Sequence, residues 1–157
     1  MVSAFLVPRT AVGRHGWNIV GRVGAKSPNL IDDVQLVQFG YYCMLKNTKG
    51  LSVDERETFS RISIGRMCTG RDDDPLVHTI MAHQTSRGGT QDGFISVLQP
   101  TRLTYTSGGK KLGVMLNALL NAMFDEIGHD KWPRIHDHDK CPAELKKKLA
   151  TLSNFKV

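Results

Sequence analysis

Between residues 112 and 127 the apolar side chains Leu112, Met115, Leu116, Leu119, Met123 and Ile127 recur at helical spacing and fall on one face. Gly128 is a natural stop, and Ser107-Gly108-Gly109 precedes the run, so the pattern predicts a helix near 109–127. A helix with one such stripe has to bury it against another layer. Two further stripes offer that surface. Val34, Val37, Tyr41 and Leu45 predict a first helix of about Asp32–Lys46, with Asp32 and Asp33 at the end that the macrodipole makes favourable for acids. Gly40 weakens its middle by up to ~1 kcal/mol relative to alanine, and a glycine there suits close helix packing. Asp74 reads as the N-cap and Pro75 as the first residue of a second helix near 74–85, with Leu76, Ile80 and His83 inward and Gly88-Gly89 beyond its end. A final amphipathic helix near 142–152 opens at Pro142 and carries Leu145, Leu149 and Leu152, with lysines opposite.

The remaining segments read as connections. Ser52 and Glu55 form a capping-box pattern, which predicts a short helix, whereas Ile62-Ser63-Ile64 alternates and could continue as a strand. Trp17-Asn18-Ile19-Val20 fits one short strand or a segment packed across a helical core. Asp92-Gly93 is a turn, followed by an extended stretch Phe94–Leu98 ended by Pro100. The fold class expected is mainly α, with an extended N-terminal segment and little sheet.

A chain of 157 residues fits a single domain, 1–157, able to bury a core without disulfides. The balance of 40% hydrophobic and 23% charged residues is that of a globular protein, and no apolar run is long enough to span a bilayer. Met1–Val7 lacks a basic region and meets Pro8-Arg9 too early for a standard secretory signal. Cys43, Cys68 and Cys141 are odd in number and widely spaced, which argues for three thiols in a reducing compartment. The net charge of +6 favours polyanionic partners without choosing among them. Its clusters, Lys110-Lys111 and Lys146-Lys147-Lys148, are not interleaved with aromatics, which disfavours a nucleic-acid platform.

The one run dense in chemical groups is His129–Cys141. His136-x-His138 recurs in zinc sites, so a metal-dependent hydrolase is a reading to weigh. Without a second motif such as His-Glu-x-x-His, a solvated connector is the simpler expectation, and no metal is assigned. Cys43 with His78 or His83 is a thinkable nucleophile, although its helical setting favours packing. Gly-x-Ser-x-Gly, Walker and dinucleotide motifs are absent, and no catalytic residue or cofactor is assigned.

Four pieces then stand in a telling order. Val20-Gly21-Arg22-Val23-Gly24, Asn29 and Asp33-Val34-Gln35-Leu36-Val37-Gln38 resemble the opening of a peptidoglycan-binding-like domain, whose bacterial members carry a "VG…N…DVxxVQxLL" run. Asp74-Pro75-Leu76 through Ile80 and Gln84 resembles that family's second helix, usually ending "AIxxFQ". Asp92-Gly93-Phe94-Ile95-Ser96 resembles its "DGxIxP" turn, and Leu112 to Asn117 takes the place of its closing helix. The resemblance covers residues 20–120, leaving 129–157 as a His/Asp-rich loop and added helix. His83 stands where phenylalanine is usual, Val97 where proline is, and the first connection, 46–73, is long.

The resemblance implies a compact three-helix core and a non-catalytic module that docks glycan strands or stem peptides of the bacterial cell wall. Its DV-x-x-VQ variant is associated with type VI-like secretion, which implies synthesis in the cytoplasm, delivery to the periplasm without a signal peptide, and a secretion-system partner. Gln38 and Gln84 are expected to cap loop carbonyls and Asp92 to stabilise its turn. The expected ligand-binding residues are Tyr42, Arg71, Arg87 and Asp92, since arginine forks suit carboxylates and an aromatic face suits sugars. The alternatives are a wall hydrolase or amidase acting through the histidine run or Cys43, and a basic nucleic-acid-binding or phage structural protein.

Overall fold

The computed structural model describes residues 2–6, 15–97, 114–131 and 134–153. The described chain is mainly helical, and no described helix is long and apolar enough to cross a membrane. Two short antiparallel pairs accompany the helices. β1 (Ser3–Leu6) pairs with β2 (His15–Asn18) in the register Ser3 to Asn18 and Leu6 to His15. Of the two readings of Trp17–Val20, the short strand is the one observed, shifted two residues toward the N-terminus and with a partner that the sequence did not announce. Trp17 and Ile19 are fully buried, which ties this hairpin to the core.

α1 (Ile31–Asn47) is the central element and buries most of its length. Its near neighbour is α4 (Val114–Ile127), and Gly40 sits at their crossing. A Cβ on Gly40 would lie 2.8 Å from Leu119 Cβ and 2.9 Å from Met123 Cε, so only glycine lets the two backbones approach this closely. The expected helix start at 109 and Leu112 lie outside the described residues; from Leu116 to Met123 the stripe is buried as the periodicity requires.

α2 (Val53–Ser60) carries the capping box: Ser52 Oγ accepts from Glu55 N at 3.1 Å, and Ser52 N donates to Glu55 Oε2 at 2.7 Å. Ser86 Oγ donates to the other Glu55 oxygen at 2.5 Å, fastening α2 to the end of α3 (Pro75–Ser86). Ile62-Ser63-Ile64 forms no strand: Ile62 and Ser63 are irregular and Ile64 enters a turn, because Gln38 of α1 captures the segment just beyond it. Gln38 Nε2 donates to Arg66 O at 2.7 Å, and Gly65 N donates to Gln38 Oε1 at 2.9 Å. α3 begins as its sequence predicts, with Asp74 Oδ1 accepting from Leu76 N at 2.9 Å and Pro75 in the first turn.

β3 (Val23–Gly24) and β4 (Phe94–Ile95) pair antiparallel, Val23 opposite Ile95 and Gly24 opposite Phe94. α5 (Ala143–Ser153) closes the chain, burying Leu145 and Leu149. It follows two 3-10 segments, His129–Lys131 and Arg134–Asp137, and also packs near α1 and β1.

Candidate functional site

Two regions concentrate polar side chains with defined geometry. The first gathers the pieces spread along residues 20–95. Asp33, in the first turn of α1, accepts backbone N–H groups of Val20 and Gly21 on Oδ2 at 3.2 and 2.8 Å. Asn29, at φ 50°, closes the next loop by accepting from Gly24 N at 2.7 Å and donating to Gly24 O at 3.0 Å. Gly24 has φ 117°, and a Cβ there would stand 2.2 Å from Gly93 O, so the approach of β3 to β4 demands glycine. Gln84 anchors the opposite side: its Nε2 donates to Asp92 Oδ1 at 2.7 Å and Phe94 O at 3.0 Å, and its Oε1 accepts from Gly93 N at 3.0 Å. Both glutamines thus hold loop backbone, as expected of buried amides.

The four expected ligand residues separate into three places. Arg87 and Asp92 share the C-terminal end of α3, where Arg22 lies 4.7 Å above the Phe94 ring. Arg71 lies at the other end of that helix, about 18 Å away along its axis, where it faces Asp73 at 3.4 Å with both side chains exposed. Tyr42 is on neither end. Its ring stacks on Phe39 at 6.1 Å and lies 6.0 Å from His138.

The second region surrounds Glu126, near the end of α4. Its carboxylate receives Lys46 Nζ, Asn47 Nδ2 and His138 Nε2, each at 2.7 Å. These donors hold the carboxyl down at about 2 against the opposing effect of desolvation. Lys140 N donates to His138 Nδ1 at 3.1 Å, which makes Nδ1 the acceptor and leaves Nε2–H to donate to Glu126. The His138 ring is 5.3 Å from Phe39. The expectation of a solvated connector is therefore corrected for this histidine, and His136 likewise keeps only 16% of its side chain exposed. The segment is folded down by an acid on α4 and an aromatic pair on α1. Beside it opens a cavity of about 440 Å³ whose walls include Glu126, Asp130, Lys131, Arg134, His138 and Asp139. Glu126 was missed in the sequence because it falls between the apolar positions of the stripe and gives no sign that residues 46, 47 and 138 would reach it.

The nucleophile and metal readings meet specific geometry. Cys43, Cys68 and Cys141 are free, buried thiols. Burial, with the Glu126 charge adding to it, pushes the Cys43 thiol far above its ordinary value, and burial lifts Cys68 and Cys141 to about 11. Cys43 senses the Glu126 charge, whereas His83 meets Tyr41, its Nδ1 3.2 Å from the hydroxyl. Positions 41 and 43 point about 200° apart around a helix. Among the described residues, no group of three or more His, Cys, Asp and Glu side chains is placed to hold a metal ion.

Comparison of the chain with protein-family models, with curated proteins and with solved structures returns no match.

Proposed function

We propose that this protein is a non-catalytic module that binds the bacterial cell wall, built on a compact three-helix core of the peptidoglycan-binding-like type from α1, α3 and α4. The observation that carries the reading is the closure of the dispersed pieces on one another. Val23-Gly24 pairs with Phe94-Ile95, while Asp33, Asn29 and Gln84 fix the backbone on either side. Asp33, Asn29, Gly24 and Gln84 each hold a turn through a contact suited to their chemistry, which supports a turn scaffold beneath an exposed binding surface. The α3 end bearing Arg22, Arg87, Asp92 and Phe94 is the surface proposed to meet glycan or stem peptide; Arg71 and Tyr42 lie away from it and are left out of that surface. The buried, high-pKa thiol of Cys43 supports a binder over a cysteine amidase. Association with a type VI-like secretion system, with delivery to the periplasm, completes the proposal.

Purified sacculi mixed with the protein at moderate salt test it. Retention in the pellet that survives salt is the expected result, because a shaped surface outlasts screening of diffuse charge. Release of all protein by moderate salt would contradict it and favour the basic nucleic-acid-binding alternative.

A further inference from the structure

We propose that Cys43 and Cys141 are a disulfide-forming pair: a small disulfide oxidant converts these two thiols into one cross-link that ties residues 134–141 to α1. The proposal concerns a covalent modification and stands apart from the wall-binding reading.

The pairing follows from how residues 134–141 lie on α1. Phe39, Tyr42, Cys43 and Lys46 fall within about 100° of one another around a helix, so they share one face. His138 is set on that face, its ring 5.3 Å from Phe39 and 6.0 Å from Tyr42. Its Nε2 meets Glu126, which also receives Lys46. Cys141 ends the turn that begins at His138, its N–H donating to His138 O at 3.0 Å. The first and last Cα atoms of such a turn lie within about 7 Å, which sets Cys141 against the face that carries Cys43. Both side chains are buried in one core, Cys43 at 0% and Cys141 at 5% exposure. Burial first, then the Glu126 charge, raises the Cys43 thiol, and Cys141 adds to the rise, as a near neighbour does. Cys68 is elsewhere, beside Gly70 and Asp74 at the start of α3.

Thiols this buried do not meet an oxidant while the turn is closed, so the reaction begins when residues 138–141 lift. Cys141 then loses its proton to water, and its thiolate attacks one sulfur of the oxidant and expels the first thiolate. Cys43, deprotonated in its turn, attacks the mixed disulfide at the Cys141 sulfur. That step forms the Cys43–Cys141 bond and expels the second thiolate. The pair gives up two electrons, and the oxidant leaves as two thiols. Cys43 and Cys141 stand about a hundred positions apart, and closing a loop of that length restricts the unfolded chain. The oxidised protein is therefore expected to melt at a higher temperature than the reduced one.

The full chain is incubated with oxidised glutathione in mildly alkaline buffer, its remaining thiols are capped with N-ethylmaleimide, and the products are read by mass spectrometry. The expected product has lost two hydrogens, carries one capped thiol at Cys68, and yields a linked peptide pair holding Cys43 and Cys141. Dithiothreitol should reverse both the link and the rise in melting temperature. His138→Ala removes a contact that holds the turn down and should speed the linkage about tenfold or more, while the parent reaches the same product on longer exposure. A link to Cys68, glutathione adducts that never resolve into the link, or three capped thiols after long exposure of the parent would overturn the pair. Equal rates in parent and variant would overturn the opening step. No sacculus enters the test, so failure of the pair leaves the wall-binding reading standing.

Discussion

His138 Nε2 lies 2.7 Å from Glu126 Oε1, and this contact fastens the segment before α5 to the end of α4. The imidazole also fills the space beside Phe39 and Tyr42. Replacing His138 by alanine removes a hydrogen bond to a carboxylate together with ring packing, and should destabilise the protein by about 1–3 kcal/mol. A denaturant midpoint unchanged from the parent would show the segment to be an unattached connector. Glu126 itself adds a pH dependence. Its folded-state value, about 2, is below the ordinary 4.5, so its stabilisation is complete above pH 4.5 and fades as pH falls toward 2. Glu126→Gln should flatten the unfolding curve in that window.

His83 acts in a separate pH range and with the opposite chemistry. It is fully buried beside Tyr41 and Phe59, its Nε2 has no hydrogen-bond partner, and burial lowers it to about 4 from 6.5. The unfolded chain therefore binds the extra proton first, and stability falls as pH drops from 6.5 to 4, by up to about 3 kcal/mol. His83→Phe keeps an aromatic body and should abolish this slope, although Tyr41 loses its hydroxyl partner. Stability profiles of parent and variant that run parallel between pH 6.5 and 4 would contradict the assignment.

Gly40 is predicted to be intolerant of even a methyl group. Alanine ordinarily stabilises a helix by up to ~1 kcal/mol over glycine, yet here its Cβ would press on Leu119 and Met123. Gly40→Ala should cost about 1–3 kcal/mol, as overpacked cores do. Urea midpoints compare the two, and a stabilised variant would mean that α1 and α4 do not cross as described.

Gln84 offers a test of the turn scaffold. Substitution by methionine keeps most of the volume but removes the contacts to Asp92, Gly93 and Phe94. A loss of about 2 kcal/mol is expected, since Gly93 N–H is left buried without its acceptor. Amide hydrogen exchange at Gly93 should accelerate along with it, and unchanged protection there would show that the glutamine is not what holds the turn.

The helices were legible because their signals are local. The apolar period of 34–45, the Asp74-Pro75 start and the Ser52/Glu55 box each determine structure from neighbours within a few residues. Gly40 was readable for the same reason, as a residue out of place in a helix unless something packs on it. The Ser3–Leu6 partner of β2 was not legible, because pairing depends on a register set across the intervening chain. The Glu126 network was hidden for a related reason. Lys46 and Glu126 are 80 positions apart in sequence, and neither residue type at its position signals the other. His138 was read as exposed from the company of Asp137, Asp139 and Lys140, whereas its burial is decided by Phe39 and Tyr42 a hundred residues earlier.

The protein is proposed to bind the wall without cutting it. One incubation with purified sacculi reads both halves, with the pellet assayed for bound protein and the supernatant chromatographed for soluble muropeptides. Protein in the pellet at moderate salt with no muropeptide above the protein-free control is the result predicted here. Muropeptides released in proportion to protein added, or protein recovered wholly in the supernatant, would contradict it.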